Sequence, residues 1–316
     1  METSKEIKKC LEIQKIETEK ITWLNVNRVA SDEMDYLKEN YKFHSFHLEE
    51  CLSKTQRSKF STTPDYFFIA LLFPLYNRRF RKITSTEVDF FVGPDYLVTV
   101  HRKELPSLIN FFNSCQISEL QRNKYLADSP AALLYAILER LFSSCLPIID
   151  NLNLNVNNIE EHIFQGYEKR MVKEILIVKT SIISFLRIIQ AHRNIISKLL
   201  KKSDSLPSSE RLKTLFENLF DNADDIWQNL ENMNETIEAV ERTNNSLISF
   251  QLNDIIKILT TISVIVLPIT LLTNIFGMNL KYMPFGGHPL SFWFIVIILV
   301  FTFIITIYLF KRKKWL

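Results

Sequence analysis

Glycine is scarce in this chain: 5 in 316 residues, about 1.6%, where an average protein has roughly 7%. Glycine supplies the backbone freedom that phosphate-cradling loops need, and neither GxGxxG nor GxxxxGKS/T occurs, which argues against a nucleotide-driven enzyme. No glycine lies in the 110 residues 167–276, a gap that favours long helices. Cysteine is equally sparse. Cys10, Cys51, Cys115 and Cys145 show no CxxC spacing and read as reduced, buried cytosolic thiols rather than as metal ligands or disulfides. Charge is missing where it matters most: residues 258–280 and 282–310, 23 and 29 long, contain no Asp, Glu, Lys or Arg. Each run exceeds the roughly 20 residues a helix needs to cross a bilayer. A helical hairpin buried in a soluble core rarely goes so long with Lys281 as its only charge.

Two transmembrane helices are therefore expected. Lys311, Arg312, Lys313 and Lys314 follow the second run directly, whereas the connecting loop offers only Lys281 and His288. The positive-inside rule puts the C-terminus in the cytoplasm, and two crossings return the N-terminus to the same side of the cell membrane. Glu2, Lys5, Glu6, Lys8 and Lys9 leave no apolar stretch for a secretory signal. Trp293 and Trp315 near the ends of the second span read as interfacial anchors.

The remainder divides by pattern. Residues 1–130 read as a cytoplasmic α/β domain, because β-branched and aromatic runs at 21–26, 66–73, 88–92 and 96–101 alternate with turn signals. Residues 131–207 read as a cytoplasmic helical region, with one helix over 131–147 and a longer one over 158–202 that starts at an Asn-rich stop, 151–158. Residues 208–257 form a stalk helix, 258–280 the first span, 281–289 an external loop, 290–310 the second span and 311–316 a basic cytoplasmic tail. Between the turn at Pro207 and Gly277 only Pro268 interrupts the helical pattern. At 1.5 Å per residue the combined helix is a rod of about 105 Å.

Charge along the two long helices is complementary. Residues 169–202 carry nine Lys or Arg against one acid, Glu174, while eight acids and no base lie between Lys213 and Arg242. An antiparallel helix pair that matches its charges accounts for this. Acids close to a membrane pore also attract divalent cations, which prefer oxygen ligands.

The polar residues of the first span are not scattered. Asn253, Thr260, Ser263, Thr270 and Asn274 follow one another at steps of 7, 3, 7 and 4, with Ile256 and Leu267 on the same stripe. One polar face cannot enclose water, so several copies must surround an axis with the second helices outside. The bland account is that Ser and Thr bond the preceding turn or join helices.

Pro268 through Asn279, with the triplet Gly277-Met278-Asn279, followed by Met283-Pro284, resembles the signature of CorA-type divalent-metal transporters, which carry GMN at the outer end of the first of two C-terminal spans. Similarity extends to Trp23 and the residues after it, to Phe91–His101 around Pro94, to Leu133 and Leu134, to Ile159-Glu160-Glu161 and to the basic ending. The resemblance implies an α+β cytoplasmic domain, a long helical stalk and two transmembrane helices assembled as a homopentamer in the lipid bilayer. It further implies passive influx of Mg²⁺, with Co²⁺ or Ni²⁺ tolerated, through Gly277, Met278 and Asn279 at the mouth and Thr270, Asn253 and Asn274 along the pore. Ile256, Leu259 and Leu267 fall on the family's hydrophobic constrictions. No catalytic residue, resident cofactor or nucleic-acid partner is expected; Mg²⁺ is both substrate and regulatory ligand.

The departures are specific. Phe276 stands where the family usually has Tyr, and Phe285 where an acid follows Met-Pro. The family's sensing carboxylate falls at Asn218, flanked by Glu217 and Asp221, with Asp89 or Asp95 as partner from the α/β domain. His44 and His47, near Glu49 and Glu50, read as solvated polar residues, since no second pair completes a four-ligand site. Two alternatives stand beside the magnesium reading: a zinc-transporting member of the family, against which Met278 argues, and a membrane-anchored coiled-coil scaffold that conducts nothing.

Overall fold

The structure, a computed structural model, describes residues 11–53, 57–77, 79–203, 209–278 and 291–312. The chain forms two compact units, Met1–Glu241 and Arg242–Leu316.

The first unit is built on a six-stranded sheet in the order β1-β2-β6-β5-β4-β3. Its strands are β1 (Ile13–Glu17), β2 (Thr22–Val26), β3 (Lys59–Thr62), β4 (Phe67–Asn77), β5 (Lys82–Val92) and β6 (Tyr96–His101). Only β2 and β6 run parallel, and the chain between them supplies the crossover. The four sequence runs read as strands all lie in this sheet, β4 and β5 extending beyond the stretches expected.

Both faces of the sheet are covered. On one, Leu24, Val26, Phe68, Phe91, Val98 and Val100 pack with Met34 and Leu37 of α1 (Ser31–Tyr41) and Leu48 and Cys51 of α2 (Ser45–Leu52). Phe43 stacks on Phe91 at 4.2 Å between ring centroids. The opposite face presents Trp23, whose ring meets Phe111 and Phe112 of α3 (Pro106–Ile117) at 5.4 and 4.8 Å. Its indole Nε1 donates to Thr99 Oγ1 at 3.2 Å, and Thr99 in turn donates to Asn25 Oδ1 at 2.7 Å. A buried polar chain is tolerable when its members are satisfied in this way. Helices α4 (Glu119–Tyr125) and α5 (Pro130–Ser143) continue this layer.

The helical region departs from the expected boundaries. The Asn-rich segment 151–158 does not start a helix; it lies inside α6 (Leu146–Ile163). The break falls instead at Gly166, whose φ of +86° takes the left-handed conformation that glycine adopts without strain, and α7 (Glu168–Ser203) begins two residues later. His47 is likewise not solvated. It is buried in α2, stacks on Phe68 at 4.5 Å and shares a 2.8 Å hydrogen bond with the Tyr66 hydroxyl.

Helix α8 (Ser209–Gly277) is 69 residues long and contains Pro268. Within the first unit it lies antiparallel to α7: Lys179 pairs with Glu241 at 2.7 Å and Arg193 with Asp224 at 2.5 Å, so residues rising along one helix meet residues falling along the other. Leu212, Phe216, Leu219, Ala223, Ile226, Leu230, Met233, Ile237 and Val240 are its buried stripe. The second unit contains the rest of α8 and α9 (Ser291–Arg312).

Candidate functional site

By length and composition, three helical stretches among the described residues could cross a membrane: Pro130–Ile163, Glu210–Gly277 and Phe292–Arg312. Packing separates them. Half of the most apolar window in the first is buried inside the soluble core, against 6% and 0% in the other two. Leu259, Leu267, Phe292, Trp293, Ile297 and Phe301 are each more than 60% exposed. So dense an apolar surface needs lipid or protein to cover it.

The exposed surface of α8 is itself two-sided. Beyond Leu252 the less exposed positions of α8, Thr261, Ile265, Pro268, Ile269, Leu272 and Phe276, fall on one face of the helix. A matching stripe runs along α9 at Ile295, Leu299, Thr302, Thr306 and Phe310. This is the pattern of two helices laid along each other. At 3.6 residues per turn, Asn253, Ile256, Leu259, Leu267, Thr270, Asn274, Gly277 and Met278 fall within an arc of about 120° centred opposite that stripe. All eight are exposed.

Hydrogen bonding tunes this face. Ser263 Oγ donates to the Leu259 carbonyl and Thr270 Oγ1 to the Val266 carbonyl, each at 2.9 Å. The proton of each hydroxyl is thus turned back on the helix, and the oxygen lone pairs remain for an outside donor. The water shell of a hydrated cation presents only donors outward, so the face suits it. Gly277 has open space where a Cβ would stand. Asn279, the loop with Lys281, Met283, Pro284 and Phe285, and Lys313, Lys314 and Trp315 lie outside the described residues.

The residues singled out as metal sensors do not come together in one chain. Glu217, Asn218 and Asp221 share an exposed face of α8, turned from its packed stripe. Asp89 sits in β5 beneath α2, 3% exposed, between Ala70 and Val100 on the neighbouring strands. Its carboxyl meets the Cys51 thiol, and its Oδ1 has no partner among the described residues. Burial, with Glu87 adding to it, pushes the Asp89 carboxyl well above the usual range, and burial does the same to the Cys51 thiol. A carboxyl whose burial favours keeping its proton is a poor ligand for a hard cation. Among the described residues no group of three or more His, Cys, Asp or Glu could hold a metal ion. The burial of Asp89 depends on strand register and on the helix above it; the alternation Val88-Asp89-Phe90 does place it on the face opposite Phe90, the one signal local sequence offered.

Comparison with known proteins agrees with this architecture. The profile of the family described as CorA-like Mg²⁺ transporter protein matches residues 18–312. The cobalt/magnesium transport protein CorA of Methanocaldococcus jannaschii is 22% identical over 297 residues, covering 94% of this chain and 92% of its own length. The protein of the same name from Thermotoga maritima is 22% identical over 298 residues, covering 93% of this chain and 83% of its own. The solved complete CorA magnesium transporter from M. jannaschii superposes with a TM-score of 0.80 at 21% identity, over 95% of this chain and 94% of that one. The ZntB cytoplasmic domain from Vibrio parahaemolyticus shares the fold of the soluble part, with a TM-score of 0.59 at 14% identity over 72% of this chain and 88% of that one.

Proposed function

The chain belongs to the CorA-like Mg²⁺ transporter family, and from that premise we propose that it conducts hydrated Mg²⁺ into the cytoplasm through a pore lined by the polar face of α8 in several assembled copies. The observation that carries this reading is the disposition of α8: Asn253, Ser263, Thr270 and Asn274 lie opposite the stripe that matches α9. Copies arranged about an axis with α9 outward turn the same face of each α8 inward, as the family's homopentamer implies.

The chemistry follows from the ion. Mg²⁺ gives up its waters reluctantly, so neutral oxygens that accept from the water shell recognise it without holding it too tightly to leave. Thr270 offers such an oxygen, and Asn253, Asn274 and Asn279 add amide oxygens. Ile256, Leu259 and Leu267 place apolar rings between them that close the path by dewetting. The driving force is the membrane potential: a divalent ion crossing about 100 mV, inside negative, gains about 4.6 kcal/mol. Both termini are cytoplasmic in this arrangement. Cytosolic Mg²⁺ gathers on the exposed carboxylates Glu217 and Asp221 of α8 and damps the flux; Asp89, buried beneath α2, takes no part without rearrangement.

Purified protein in liposomes tests the reading by uptake of Mg²⁺, Co²⁺, Ni²⁺ and Zn²⁺ side by side. Mg²⁺ entry with Co²⁺ and Ni²⁺ competing supports it. Entry of Zn²⁺ alone moves the chain to the zinc-carrying alternative, and no entry of any ion leaves the scaffold.

A further inference from the structure

Strand β3 ends early against its neighbour. It pairs with β4 only over 67–70, Lys59 opposite Ala70, whereas β4 remains paired with β5 as far as Asn77. From Leu72 onward the other edge of β4 has no strand beside it among the described residues, yet it is not raw. The Leu72 amide donates to Ser58 Oγ at 3.4 Å, and the Leu72 carbonyl accepts from His192 Nε2 of α7 at 2.7 Å. Pro74, two residues on and so facing the same edge, has no N–H to offer. Closing the edge with side chains instead of a strand leaves a cavity of 640 Å³ between the β4–β5 hairpin, the start of β3 and α7.

The polar lining of this cavity is one-sided. It contains the guanidinium groups of Arg57 and Arg187 and no carboxylate. Neither arginine has an acidic partner among the described residues, although Lys179 and Arg193 on the same helix are matched by carboxylates of α8. The hydroxyls differ in what they can do. Ser184 has turned its proton to the Thr180 carbonyl, but Ser58 only accepts, from Leu72, and keeps its own proton to donate. The Ser85 hydroxyl makes no hydrogen bond among the described residues and can donate as well. Two cations and two hydroxyl donors, without a competing acceptor of negative charge, describe a receptor for an anion of several oxygens, and planar guanidinium groups match phosphate in particular. Beside them Ile83 and Ile188 are buried and form an apolar floor. The volume lies within the roughly 300–1,000 Å³ of small-molecule sites.

We propose that this cavity binds a phosphate ester of a small, partly apolar molecule, the chemistry of a nucleotide, with Arg57 and Arg187 clamping the phosphate and Ile83 and Ile188 receiving the apolar part. Recognition here uses side chains, so the absence of glycine-rich loops is no obstacle.

Calorimetry on the full-length protein in detergent, with EDTA present so that no divalent ion links binding to transport, tests the proposal. The probes are AMP, inorganic phosphate and adenosine. AMP binds more tightly than either fragment, its affinity falls with salt, and Arg187→Gln or Arg57→Gln each weakens it about tenfold. Both arginines are exposed, so the variants fold, and Lys198→Gln, elsewhere on α7, leaves AMP affinity unchanged. The proposal is overturned if adenosine binds as well as AMP, if inorganic phosphate does so, if no probe binds, or if the arginine variants keep full affinity.

Discussion

Lys179 on α7 and Glu241 on α8 meet at 2.7 Å, and together with Arg193 and Asp224 they set the antiparallel register of the two long helices. The two pairs are not equal. Lys179 and Glu241 are 26% and 41% exposed, so solvent screens much of their attraction. Arg193 is as exposed as Lys179, but its partner Asp224 lies under better cover than Glu241, and Arg193 also stands 4.5 Å from the centre of the Trp227 ring. Lys179→Ala is therefore expected to cost about 0.5 kcal/mol, and Arg193→Ala about 1–2 kcal/mol. Denaturant unfolding of the full-length protein in detergent, followed by far-UV circular dichroism, measures both. A double-mutant cycle with Trp227→Leu isolates the ring contribution; zero coupling there contradicts the assignment.

Two buried imidazoles predict acid sensitivity. His192 and His101 are both pushed down to about 4, in each case chiefly by burial. An unfolded histidine takes its proton near pH 6.5. Between about 6.5 and 4 the unfolded chain thus binds protons that the folded one refuses, and stability falls as the pH is lowered through that window. His192→Gln keeps a donor for the Leu72 carbonyl but does not titrate, so its stability profile over this window is flatter than the parent's. A profile as steep as the parent's argues against His192 as a source.

Asp89 predicts the opposite slope. Its carboxyl is raised in the folded state, so the stability tied to its proton is present below the unfolded value near 3.9 and is lost as pH rises towards the folded value. Asp89→Asn removes the ionisable group while keeping its shape. The variant is expected to gain stability over the parent, and the gain should be larger at pH 8 than at pH 5. An equal gain at both, or a loss at pH 8, shows that Asp89 is charged and paired in the native state.

The sequence made some of this legible and hid the rest for physical reasons. Helix α8 could be read whole, because 110 residues without glycine leave little to end a helix. The charges of α7 and α8 announced their pairing. Strands β1 and β3 went unnoticed: Ile13–Glu17 and Lys59–Thr62 are short, mixed edge strands that owe their form to the neighbour they pair with. The break between α6 and α7 was misplaced because asparagines read as a stop, although on α6 several simply face solvent while its apolar residues point inward. The polar face of α8 followed from spacing alone. That Asp89 lies beneath α2 depends on contacts with residues far along the chain, which no local pattern discloses.

The apolar positions of the proposed pore face carry a prediction of their own. If Leu259 and Leu267 close the path by excluding water, a polar side chain there keeps it wet. Leu267→Asn is expected to raise Mg²⁺ uptake into liposomes severalfold and to weaken inhibition by Mg²⁺ on the cytoplasmic side. Uptake unchanged from the parent removes Leu267 from the gate.

The account's central claim is that a hydrated divalent ion passes the α8 face and the mouth at Asn279. The most direct measurement is Mg²⁺ uptake into liposomes under an inside-negative potential, comparing the parent protein with Asn279→Ala. The account predicts uptake that grows with the potential in the parent and is lost in the variant. Uptake indifferent to the potential, or equal in the two proteins, contradicts it.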